Sequence, residues 1–127
     1  MNENVMNDLE FEKENTKKIN KLLKSLEYND WVEALEDNVL KETLNKHRDS
    51  NGNNIYQIFF KVKRDNDALF KISKLVELLI KNNISTLGLN IQNKTAYEMA
   101  EDKSTYSMNL IKAKYEEEQF IHKYKEE

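Results

Sequence analysis

Asp49-Ser50-Asn51-Gly52-Asn53-Asn54-Ile55-Tyr56-Gln57-Ile58 is where the architecture of this chain becomes legible. Its first half is the strongest turn signal in the sequence, with Asn-Gly at the centre. Its second half opens an apolar run. A similar stretch lies 41 positions on: Asn90-Ile91-Gln92-Asn93-Lys94-Thr95-Ala96-Tyr97-Glu98-Met99-Ala100. Both read as a small polar residue, two variable residues, a turn residue, a polar residue and then Asn or Thr. Each continues into a helix start with an aromatic at the same step. Two copies of one turn-to-helix unit point to a repeat rather than to unrelated loops.

Upstream, Met1 to Asn15 is a charged arm in which Val5, Met6, Leu9 and Phe11 are scattered. Thr16 is the expected cap of a helix running to about Tyr28, with Ile19, Leu22, Leu23 and Leu26 at helical spacing. Asn29-Asp30 is the expected break. Trp31 then opens one further helix to about Asn45, with Val32, Leu35, Val39, Leu40 and Leu44 on one face, giving an αα-hairpin. Downstream of the first turn, the dense run Ile55 to Val62 leaves helix or strand open. Leu69 to Ile80 has helical spacing, is apolar on nearly every face towards its end, and is expected to be deeply buried. Asn82-Asn83 stops it, because Asn tolerates the left-handed backbone that usually falls to Gly. Ile84 to Gln92 reads as an extended linker. Thr95 to Ala100 is a short helix, and Asp102 to Thr105 a turn and cap. A last helix is expected from Thr105 to Lys125, with Leu110, Ala113, Phe120, Ile121 and Tyr124 on one face and Glu117 interrupting it.

These motifs resemble the ankyrin repeat, whose core is D-x-x-G-x-T-P-L-H-x-A-A followed by a second helix ending I-V-x-L-L-L-x-x-G. Asp49 and Gly52 match the first turn, and Tyr56 takes the Leu place. Leu75-Val76-Glu77-Leu78-Leu79-Ile80-Lys81-Asn82-Asn83 resembles the end of the second helix, with Asn83 in the Gly place. Thr95, Ala96, Tyr97, Met99 and Ala100 match a T-A-L-x-L-A variant. The chain departs from the pattern where Asn54-Ile55 replaces Thr-Pro and Phe59-Phe60 replaces the small Ala pair. Its repeat is about eight residues longer than the usual 33, with the extra length around Lys61 to Ser73. The resemblance implies an all-α fold of about three stacked helix pairs. Residues 16–48 would form a capping pair, 49–89 an elongated repeat, and 90–127 the last repeat with a cap helix. In such a stack a core of Leu22, Leu35, Ile58, Leu75, Leu79, Met99 and Leu110 becomes continuous, with Phe120 and Tyr124 covering its end.

Composition narrows the chemistry. The 127 residues include no Cys, no Pro and two Gly. Disulfides, thiolate metal sites and Cys nucleophiles are thereby excluded, as are Gly-rich phosphate loops. Net charge is -3, and only two of the 20 basic residues, Arg48 and Arg64, are Arg, which is not the profile of a nucleic-acid binder. The local cluster Lys61, Lys63 and Arg64 beside Phe59 and Phe60 is offset by Asp65 and Asp67, so core aromatics and a solvated loop are expected there. His47 and His122 have no companions at metal-ligand spacing. No G-x-S-x-G elbow is present. Asn83-Ile84-Ser85 and Asn93-Lys94-Thr95 have the form of glycosylation sequons but read as turn residues. No enzyme activity, cofactor or metal is therefore expected. Without a visible secretory signal or membrane-spanning run, the expected setting is cytoplasmic. The Lys, Asn and Ile bias indicates AT-rich coding, which admits an effector delivered into a host cell without a cleavable signal.

The function implied by the resemblance is binding of another protein, with no nucleic acid and no membrane as partner. The implied contact residues are Ser50, Asn51 and Asn53 in the first turn, Ile91, Gln92 and Lys94 in the second, and Gln57 and Glu98 along the first helices. Leu87 and Leu89 flank Ile91. A monomer is expected. The alternative is a small regulatory or structural subunit that pairs, with itself or another chain, through Phe120, Ile121 and Tyr124.

Overall fold

The structure, a computed structural model, describes the backbone of residues 3–126 and the side chains of residues 13–123. Among the described residues it is all-α, with no strand and seven helices. They are α1 Glu3–Ser25, α2 Tyr28–Glu36, α3 Asn38–Lys46, α4 Ile55–Phe60, α5 Asn66–Lys81, α6 Ala96–Ala100 and α7 Thr105–Glu126.

The N-terminal third differs from the expected hairpin in three ways. Thr16 lies inside α1, which takes in the backbone of the charged arm from Glu3 onward. Side chains Val5, Met6, Leu9 and Phe11 lie outside the described residues. The break falls at Leu26, whose φ of +52° turns the chain, so Asn29 and Asp30 sit within α2. The expected single helix from Trp31 to Asn45 is two. At Asp37 the backbone is extended, and the carboxylate accepts the N–H of Val39 at 3.0 Å and of Leu40 at 3.2 Å. A short acceptor at an N-cap competes with helix continuation. Val39 is consequently exposed while Leu40 and Leu44 are buried.

The ambiguous run resolves as helix. Asn54 caps α4, and every residue of the helix is buried. Val62 falls beyond its end and is exposed. Asp65 caps α5 through the Ala68 N–H. The C-terminus of α5 closes as a Schellman motif. Asn83 has φ +60°, its N–H reaches the Ile80 carbonyl, and the Ile84 N–H reaches that of Leu79, both at 3.0 Å.

Helix α5 lies between α2 and α7. Lys71 pairs with Glu27 at 3.4 Å, whereas the Ser73 hydroxyl meets those of Ser104 at 3.3 Å and Ser107 at 3.0 Å. Two residues along a helix is a rotation of about 200°. Helices α2 and α7 therefore approach α5 from opposite sides. On the first side Trp31 meets Phe59 edge to face, with ring centroids 5.5 Å apart. On the second, α4 packs on α6 and α5 on α7. Buried side chains from all seven helices meet in one core. Leu22, Leu35, Ile58, Leu75 and Leu79 are buried as expected, and Met99 and Leu110 are half-buried.

Helix α7 packs on a face other than the expected one. Ser107 and Ile111 are fully buried, while Ala113, Phe120 and Ile121 are exposed. Phe120 does not cover the end of the stack, and the Tyr124 side chain lies outside the described residues. The docking of α7 is partly polar, through hydroxyls and Glu118, which a hydrophobic stripe does not reveal.

Candidate interaction surface

The two similar stretches build the same turn. In the first, the Asp49 carboxylate accepts the N–H groups of Asn51 and Asn53, both at 2.9 Å. The Gly52 N–H closes on the Asp49 carbonyl at 3.0 Å, with Gly52 at φ +76°. In the second, the Asn90 carboxamide oxygen accepts the N–H groups of Gln92 at 2.9 Å and Lys94 at 3.1 Å. The Asn93 N–H closes on the Asn90 carbonyl at 2.9 Å, with Asn93 at φ +60°. Asn can serve there because its short polar side chain lowers the penalty of the left-handed region.

The turns are also joined to each other. The Ile91 N–H donates to the Asn51 carbonyl at 3.0 Å, and the Asn90 amide donates to the Asn53 side-chain oxygen at 3.0 Å. Each turn then feeds a capping box, Asn54 with Gln57 and Thr95 with Glu98. Reciprocal bonds at both helix starts fix the angle at which each turn leaves its helix.

These contacts divide the eight expected contact residues. Ser50, Asn51, Gln92 and Lys94 are exposed, as is Ile91 at 71%. Glu98 is exposed too, but its carboxylate is engaged by the Thr95 N–H and hydroxyl, which hold its pKa below the ordinary range. Asn53 and Gln57 are interior, contrary to expectation. Asn53 bridges Asp49 and Asn90. Gln57 accepts the Asn54 N–H at 2.7 Å and donates to the Lys94 carbonyl at 2.8 Å. Both side chains hold the turns from behind and present nothing to a partner. Leu89 joins the exposed set and Leu87 is half-buried.

The segment between α5 and the second turn is held by side chains of α3, of α4 and its cap, and of α7. Asn45 accepts the Ser85 N–H, and the Tyr56 hydroxyl donates to the Ile84 carbonyl at 2.7 Å. The Asn54 amide donates to the Thr86 carbonyl. Glu118 accepts from the Ser85 hydroxyl at 2.6 Å and from both the Thr86 N–H and hydroxyl at 2.8 Å. Burial, with the nearby Glu118 charge, pushes the Tyr56 phenol well above its usual range. The sequence offered no motif for Glu118; it stands in a run of three glutamates that reads as solvated.

Two cations of the basic cluster serve the fold: Lys61 pairs with Asp49 at 3.0 Å and Arg64 donates to the Phe59 carbonyl at 2.9 Å, while Lys103, outside the cluster, donates to that of Phe60. Phe59 and Phe60 are fully buried, so neither ring is placed to stack on a base. Burial lowers the pKa of His47. Among the described residues no group of three or more His, Asp or Glu could hold a metal ion, and no helix is long and apolar enough to cross a membrane. No family model, curated protein or solved structure matches the chain.

The first turn carries a pH dependence. Burial alone would raise the Asp49 pKa, but bonds from Asn53, Lys61 and Asn51 outweigh it and hold the group at about 2, against an ordinary 3.8. A depressed folded-state pKa contributes stability that is present above the unfolded value and is lost as pH falls through the folded one. Asp49→Asn is therefore expected to flatten the acid side of the stability curve between 3.8 and about 2. Thermal melts of both proteins across that window check it; parallel curves would contradict it.

Proposed function

We propose that this chain is a protein-recognition module of the ankyrin type, which binds its partner through the tips of its two turns. The observation that carries this reading is Ile91, a large apolar side chain 71% exposed on a turn whose backbone is fixed from several sides. A lone exposed apolar residue on a mobile loop would mean little. Here Leu89 is also exposed nearby, and Ser50, Asn51, Gln92 and Lys94 supply polar groups around the pair. A pre-ordered surface loses little conformational freedom on binding, so modest apolar area can yield useful affinity. The ankyrin assignment is supported by the matched turn geometry and the capping boxes. The interior places of Asn53 and Gln57 narrow the contact face to the tips.

Ile91→Asp is expected to weaken partner capture by at least about tenfold, the effect of a modest hot spot. Its stability should stay within about 0.5 kcal/mol of the parent, as for exposed sites generally. Phe70→Asp, at an exposed ring on α5, is the control and should leave capture unchanged. Affinity capture with quantitative mass spectrometry, alongside thermal melts, reads both quantities. Identical captured sets for the parent and Ile91→Asp would reject the tip as the binding surface.

A further inference from the structure

Asn51-Gly52 is the single Asn-Gly pair in the chain, and it lies at the outer tip of the first turn. Asn51 is exposed to water. Asparagine followed by glycine has an intrinsic chemistry. The glycine backbone nitrogen, uncrowded by a Cβ on its own residue, can attack the asparagine side-chain carbonyl carbon. A new N–Cγ bond forms, the Cγ–Nδ2 bond breaks, ammonia leaves with the displaced proton, and a five-membered succinimide results. Water then opens the ring at either carbonyl to give an aspartyl or an isoaspartyl linkage. Water is the only co-reactant, and no electrons are exchanged.

The turn controls each requirement of this reaction. The attacking Gly52 nitrogen donates its hydrogen to the Asp49 carbonyl at 3.0 Å. The Asn51 N–H is held by the Asp49 carboxylate at 2.9 Å, and the Asn51 carbonyl by the Ile91 N–H at 3.0 Å. Ring closure swings the Asn51-Gly52 peptide towards the carboxamide, so these bonds must open first. We propose that Asn51 is a self-modification site gated by this turn: it converts to aspartyl or isoaspartyl only from the opened state. The rate in the native chain is then the rate of the free peptide multiplied by the population of the open turn. The product places a carboxylate beside Ile91 and at the seam between the two turns, so each opening has a chance of leaving a permanent charge at the tip. The second turn lacks this chemistry, because Gln92 stands in the Asn51 place and Asn93 in the Gly52 place. The proposal holds whether or not the tip binds a protein.

The full chain is incubated at neutral pH in heavy-oxygen water, native and in urea, and the peptide carrying residue 51 is followed by mass spectrometry. Asn93 in the same chain is the internal reference. Conversion at Asn51 is expected to be at least about tenfold slower in the native chain than in urea. Native Asp49→Ala, which removes the carboxylate's bonds to the Asn51 and Asn53 N–H groups, to the Asn53 amide and to Lys61, should fall between. Hydrogen exchange of the Gly52 amide in the unaltered native chain measures the opening directly, and its protection should match the slowing of conversion within about tenfold. That comparison stands even if Asp49→Ala fails to fold. Equal native and urea rates, or protection and slowing that disagree by more, would remove the gate. Conversion in urea no faster at Asn51 than at Asn93 would remove the site.

Discussion

Phe59→Ala is expected to destabilise the chain by about 3–5 kcal/mol, the range for a fully buried aromatic replaced by a methyl. Phe59 is 0% exposed, and its ring receives Trp31 edge to face. It thus belongs both to the buried interior of α4 and to the joint between α4 and α2. Removing it forfeits the transfer energy of the ring, leaves a cavity and strips Trp31 of its aromatic neighbour. A domain of this size has only about 5–15 kcal/mol in total. Chemical denaturation followed by circular dichroism should show a large fall in the midpoint. Phe59→Leu, which retains most of the apolar volume, should lose less than half as much. A loss below about 1 kcal/mol for Phe59→Ala would mean that α4 is not packed as described.

Gln57→Leu is expected to cost about 2–5 kcal/mol although it preserves size and adds apolar surface. The change removes the acceptor of the Asn54 N–H and the donor to the Lys94 carbonyl, at 2.7 and 2.8 Å. Leaving a buried polar group unsatisfied costs about 1–3 kcal/mol for each. Gln92→Leu is the matched control, because Gln92 is exposed on the second turn. It should change stability by no more than about 0.5 kcal/mol. Similar losses in the two variants would contradict the interior placement of Gln57. Denaturant titration of both side by side decides it.

Gln57 also shows where sequence reading stopped. The resemblance to the ankyrin repeat implies that it extends the contact face along the first helix. Nothing local says that the Gly88–Thr95 segment folds over it. Partners 37 residues away, such as the Lys94 carbonyl, enter only through tertiary structure. Asn53 was misplaced for the same reason. Both turns, the αL role of Asn83 and Asn93, and the exposure of Ile91 were legible, because they depend on neighbours within a few residues. The split at Asp37 was local too. Val39 and Leu40 hide it by continuing the apolar spacing straight through a good N-cap. The packed face of α7 was obscured for a different reason. Glu118 and Ser107 reach across to other elements, and a hydrophobic pattern gives such contacts no weight.

The segment 84–87 carries one more consequence, for how the chain can change in length. Connecting segments usually tolerate inserted or deleted residues. This one is pinned at successive positions by Tyr56, Asn45, Asn54 and Glu118. One added residue would shift every later partner by about 3.5 Å, beyond the reach of any hydrogen bond that it displaced. Between α4 and α5, Lys61, Val62, Lys63 and Asp65 are exposed, and the chain there has room to grow. Inherited insertions should therefore accumulate between α4 and α5 and be purged from residues 84–87. A passage with no regular structure would then keep its length more strictly than the helices on either side of it.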